Sequence, residues 1–166
     1  MNLIKDFANN TLYGNYLTSI FRIFIGLLFI YSSSFKILDL YNFGNIIILY
    51  DIIPKTLAPY AAIIMPVLEL IIGILLVIGF RIKPTSLLTG ILFIFFIIII
   101  SINIYRGNNF DCGCFDLSQF GIDEKIGFPL LIRDIIFLFI LFLILYAKRH
   151  PFSIDKIVEE KNLNRL

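Results

Sequence analysis

Four long apolar stretches, at 17–38, 59–80, 84–104 and 129–147, alternate with polar segments along the chain. About 20 helical residues at 1.5 Å each match a hydrocarbon core of about 30 Å, so each stretch is long enough to cross a bilayer. The pattern predicts four membrane-spanning helices. The first is expected to be an uncleaved anchor. Ser32-Ser33-Ser34 offers the small residues of a signal cleavage site, but Phe35, Ile37 and Leu38 carry the apolar pattern past them. The serine run is expected to let helices approach closely, and Pro66 to kink the second span.

The segments between the spans have their own patterns. In 39–58, Asp39, Asn42, Asn45, Asp51 and Lys55 interrupt any spanning run, and Pro54 and Pro59 close it. Phe43, Ile46, Ile47, Tyr50 and Ile53 nevertheless recur at helical spacing, which predicts an amphipathic helix over about 41–53 lying in the membrane interface. Arg81-Ile82-Lys83 is a tight connection, after which Pro84 suits the first turn of the third span. Residues 105–129 form a long polar loop with glycines as turn points, residues 1–16 a short polar tail, and 148–166 a second tail with a short amphipathic helix after Ser153. The expected architecture is an all-α membrane protein. A four-transmembrane-helix bundle carries an interfacial helix between spans 1 and 2 and a cysteine-containing extracytoplasmic loop between spans 3 and 4, all in one domain over 1–166.

Composition agrees: 59% hydrophobic residues, 16% charged and a mean hydropathy of +0.93 exclude an ordinary soluble domain. A net charge of +2, with no Lys/Arg-rich run and no glycine-rich phosphate loop, sets nucleic acid aside. Charge distribution orients the chain. The tails and the 81–83 turn hold eight Lys/Arg and the other face five, so both termini are expected in the cytoplasm and 105–129 outside. Tyr16, Tyr41, Tyr60, Tyr105 and Tyr146 near the span ends suit an aromatic belt.

The outer loop carries the only two cysteines, in Asp111-Cys112-Gly113-Cys114-Phe115-Asp116. Two thiols separated by one glycine close into a disulfide only through a sharp turn, and a strained bridge is more oxidising than a structural one. Spacing alone leaves two readings open, a redox pair on one side and two free buried thiols or an inert local bridge on the other. An extracytoplasmic position favours the first, because disulfides form and exchange there. Zinc would need further ligands, and His150 lies across the membrane; copper(I), which favours soft thiolates, stays open. Arg106, Lys125 and Arg133 favour thiolate, whereas Asp111 and Asp116 oppose it.

Ionisable residues inside spans are unfavourable unless they meet a partner or a cavity. Glu69 in the second span and Arg22 in the first are expected to face the bundle interior within reach of each other or of a shared polar group. They form either a register-fixing ion pair or a site where Glu69 relays protons or contacts quinone. Arg133 is expected near the cysteines, and Lys36, beside Asp39 at the outer end of the first span, as a partner for Asp134.

Several of these residues form a recognisable set. Arg22 with Gly26 and the 29–36 stretch, Phe43, Tyr50 and Pro54, Pro66 with Glu69 and Gly73, Arg106-Gly107, the Asp111–Phe115 run and Arg133-Asp134 together resemble the MauE/DoxX family of four-span, redox-associated bacterial membrane proteins, most closely its MauE branch. The likeness covers about 17–147. Relatives commonly have Gly where this chain has Asp116, although Asp tolerates a left-handed turn better than most residues. MauE is associated with maturation of methylamine dehydrogenase, a multi-disulfide periplasmic enzyme, together with a thioredoxin-like partner. The resemblance implies disulfide or electron handling at the membrane, and the reading carried forward is exchange between Cys112/Cys114 and a thioredoxin-like partner outside, with quinone as a candidate acceptor. Arg133, Asp134, Glu69, Arg22 and Lys36 are the supporting residues. A non-catalytic assembly factor and a copper(I) handler are the alternatives.

Overall fold

The computed structural model describes residues 12–108 and 127–146, so Cys112, Cys114 and the 148–166 tail lie outside the described residues. Among the described residues five helices follow in order: α1 (Leu12–Leu38), α2 (Leu40–Tyr50), α3 (Ala58–Ile78), α4 (Ile82–Tyr105) and α5 (Phe128–Tyr146). No strand occurs among the described residues. Four of the five are long and apolar enough to span a membrane, and α2 is the short helix between the first two. Span ends fall within two residues of the sequence expectation except at the start of α1, which begins at Leu12 rather than 17. Polarity marks where the membrane ends, not where the backbone stops being helical. A helix can therefore continue through polar residues into the headgroup region.

The connections follow from local chemistry. Asp39 caps α2, its carboxylate accepting from the Asn42 backbone N–H at 3.2 Å. At the other end Asp51 takes a left-handed conformation, φ 49°, and its N–H donates to the Ile48 carbonyl. Gly79 ends α3 in the same way at φ 72°, where glycine meets no steric cost. Pro84 then falls within the first turn of α4, where its missing N–H is not required. No residue of α2 is fully buried, as an interfacial helix resting on the bundle requires. It rests chiefly on α3, and Arg106 at the end of α4 reaches over it, its Nη1 donating to the carbonyls of Asp51 at 3.2 Å and Tyr50 at 3.4 Å.

α1 packs along α3 and α4 along α5, and the α1–α5 and α3–α4 contacts close the ring. The tightest crossing is at Gly26 and Gly73. A Cβ on Gly26 would sit 2.9 Å from the Gly73 carbonyl oxygen, and one on Gly73 would sit 2.8 Å from that of Gly26. Small residues allow this approach, as in membrane helix pairs generally. The crossing lies about two turns before the serine run. There Ser33 and Ser34 both donate to the Ile30 carbonyl, at 2.9 and 2.7 Å. Around the crossing, Ile25, Phe29, Ile72, Leu76, Phe93, Leu141 and Ile144 form the core. The Phe93 ring lies 5.4 Å from Phe29 and 5.7 Å from Phe137, both tilted as aromatic pairs prefer. Large apolar side chains such as Phe24, Ile63, Ile91 and Phe139 face outward, which only lipid can cover along four such helices. The chain is a multi-pass membrane protein.

Candidate functional site: a buried charge cluster beside an apolar cavity

The inward stripe of α1 runs Ser19, Arg22, Ile25, Phe29, Ser32, Ser33 and Lys36, all buried at helical spacing. Its last member meets α3. Lys36 Nζ donates to both carboxylate oxygens of Glu69 at 2.7 Å, with Lys36 7% and Glu69 2% exposed. Glu69 therefore pairs with Lys36 rather than with Arg22, and Lys36 gives its hydrogen bonds to Glu69 while lying within electrostatic reach of Asp134. Register is the reason. With Gly26 packed against Gly73, Leu76 and Val77, antiparallel helices place Lys36 about 5 Å along the axis from Glu69 and Arg22 about 16 Å from it. The same offset starts α3 about 9 Å beyond the end of α1, so depths counted from a common membrane surface mislead. Arg22 is fully buried toward the other end of the bundle.

Asp134 is also buried, at 2% exposure, near the start of α5. Its Oδ1 accepts from Arg133 Nε at 3.1 Å and Nη2 at 3.0 Å. Neighbouring residues do not ordinarily face each other on a helix, so the guanidinium folds back along α5 to make this pair. Asp39, expected beside Lys36, instead serves as the exposed cap of α2. Lys36, Glu69, Arg133 and Asp134 line one small cavity of about 10 Å³, with Ser32 on its wall and Phe29 and Phe93 also lining it. That volume holds one water. The four formal charges sum to zero, the only balance a low-dielectric interior tolerates cheaply. A carboxylate paired with an ammonium beside a water-sized space can exchange a proton without leaving a lone charge against lipid.

Lys36 also borders a second, larger cavity of about 140 Å³ under α2. Its walls are Phe43, Ile47 and Tyr50 from α2, Ala61 and Met65 from α3, and Phe95, Phe96, Ile99 and Ile100 from α4. The ammonium lies 5.2 Å from the Phe43 ring centre and 5.7 Å from that of Phe96, within cation–π range. Lys36 and Phe96 are thus the shared wall between the two cavities. Among the described residues no group of three or more His, Cys, Asp or Glu side chains forms a metal site. Cys112 and Cys114 lie outside the described residues, and with them the expected approach of Arg133.

The Lys36–Glu69 bond, the Phe43 and Phe96 rings and the Arg106 strap were not read from the sequence. One signal pointed to Lys36: it continues the 22, 25, 29, 32–33 stripe and so must face inward. The partner required the glycine register, which no periodicity encodes.

A family model for the methylamine utilisation protein MauE matches residues 14–147. The methylamine utilization protein MauE of Paracoccus denitrificans is 26% identical over 116 residues, which cover 69% of this chain and 61% of that protein. No solved structure matches.

Proposed function

The chain belongs to the MauE family, and on that premise we propose that it handles disulfides or electrons at the bacterial inner membrane through Cys112 and Cys114. In this reading 1–166 is one membrane domain with both termini cytoplasmic, and the partner is an extracytoplasmic thioredoxin-like protein undergoing or assisting maturation. A thiolate of the pair attacks a partner disulfide and releases one partner sulfur as thiolate, which takes up a proton. The second cysteine then displaces the other partner sulfur. The partner gains two electrons and two protons, and the Cys112–Cys114 bridge closes; the reverse sequence oxidises the partner.

The observation that carries the reading is the cluster of buried Lys36, Glu69 and Asp134 with the half-buried Arg133. Lys36 ends α1 and Arg133-Asp134 begins α5, so these charges gather at the end of the bundle where the cysteine segment joins α4 to α5. A bundle needing only stability has no use for four charges there, since apolar residues of similar volume would serve as well or better. Arg133 and Asp134 would set the charge near the thiolate, Lys36 and Glu69 would take up and release protons, and Arg22 would hold the opposite end in register.

The test is a trap in cells. With Cys112→Ala or Cys114→Ala, the remaining thiol should be caught in a mixed disulfide with a thioredoxin-fold protein identified by mass. Absence of any mixed disulfide in both variants, together with full function of the Cys112→Ser/Cys114→Ser chain, would leave a non-catalytic assembly role.

A further inference from the structure

We infer that the larger cavity seats a membrane-soluble quinone, with its ring under α2 and its isoprenoid tail in the bilayer. As an electron acceptor this ligand rests on the redox reading above; as a bound ligand it rests on the cavity alone. Size is the first argument. A cavity of about 140 Å³ walled by aliphatic and aromatic side chains matches the volume that takes up a single benzene-sized ring. The ring's substituents and its tail must extend past the open side of the cavity. Exposed Phe95 and Ile52 on its rim give the tail a way into lipid.

Chemistry is the second argument. Apart from the Tyr50 phenol, the wall is apolar except at Lys36, whose ammonium carries three donors and uses two on Glu69. A ring carbonyl accepts the third, and the Phe43 and Phe96 faces beside the ammonium suit a flat ring. An acyl chain would fill the space but waste the donor, and an anion would face an otherwise apolar wall. The redox balance also closes. When the Cys112/Cys114 dithiol becomes a disulfide it releases two electrons and two protons, and a quinone taking up both becomes the hydroquinone. Lys36 and Glu69 stand where a proton must reach the ring oxygen.

The test uses the purified full chain in phosphatidylcholine nanodiscs and a photoactivatable azidoquinone with a decyl tail. Label should map to peptides of α2 and α4 around the cavity and be displaced by decylubiquinone but not by decanol. Ala61→Phe, which fills the cavity, should weaken retention by about tenfold or more. Ile99→Phe is the second filling variant should the first not fold. Labelling spread over the lipid-facing surface, equal displacement by decanol, or undiminished labelling in a folded filling variant would overturn the site. The Cys112→Ser/Cys114→Ser chain should label like the unaltered one. A failed label with an intact mixed disulfide sinks this inference alone, whereas specific label without thiol exchange sinks the redox reading.

Discussion

The two halves of the bundle solve opposite problems. At the Gly26–Gly73 crossing, α1 and α3 meet backbone to backbone and the neighbouring core is Ile25, Phe29, Ile72 and Leu76, with no room for an added methyl. Toward the C-terminal end of α1 the same helices carry Lys36 and Glu69, α5 adds Arg133 and Asp134, and α2 roofs a cavity instead of closing it. Close packing contributes stability where every atom has a neighbour. Buried ion pairs and a sizeable void do not, and the proposed function takes the end where they concentrate as the working one.

This contrast is open to direct attack. Lys36→Met should have the largest effect on stability, about 3–5 kcal/mol, because it strands the Glu69 carboxylate in the bundle without a partner. Thermal unfolding in detergent measures it, and Glu69→Met in the same chain should recover most of the loss. Gly73→Ala comes next. Its Cβ would meet the Gly26 carbonyl at 2.8 Å and Phe29 Cβ at 3.0 Å, so the helices must separate, at a cost of about 1–3 kcal/mol. Arg106→Met should lower global stability by about 1 kcal/mol or less, since its bonds are exposed. Hydrogen exchange over 40–57 should nonetheless rise as α2 loses its strap. Gly90→Ala is the contrasting glycine. Its nearest neighbour would be Leu138 Cδ1 at 3.9 Å, so the change should stabilise by about 1 kcal/mol or less through helix propensity.

The spans and the interfacial helix were legible because each depends on a local run or a local period. Four apolar stretches of membrane length and the Phe43, Ile47, Tyr50 spacing needed no tertiary information. Which charge meets which was not legible. Glu69 lies nearer in nominal depth to Arg22 than to Lys36, and only the glycine crossing, which shifts α3 outward, reverses the choice. Asp39 was similarly ambiguous. An acid at a span end can be an ion-pair partner or a helix cap, and the turn into α2 made it a cap. The cavity was invisible for a different reason: it is bounded by four helices and a connection, each ordinary in sequence, and exists only through their separation. Cys112-Gly113-Cys114 could be read as a motif, and its exchange potential decides between a redox pair and a structural bridge. A value above about −300 mV is expected for the former.

The central claim is that the charged end supports the chemistry of the cysteines rather than the stability of the bundle. It is tested most directly by the partition of Cys112 and Cys114 between dithiol and disulfide in intact cells, fixed by acid quench and read by alkylation, in Lys36→Met/Glu69→Met at normal membrane abundance. The unaltered chain should show both forms and the variant should be locked in one, while its unfolding temperature stays close to normal. An unchanged partition in the folded variant would contradict the claim and return the four charges to a purely structural role.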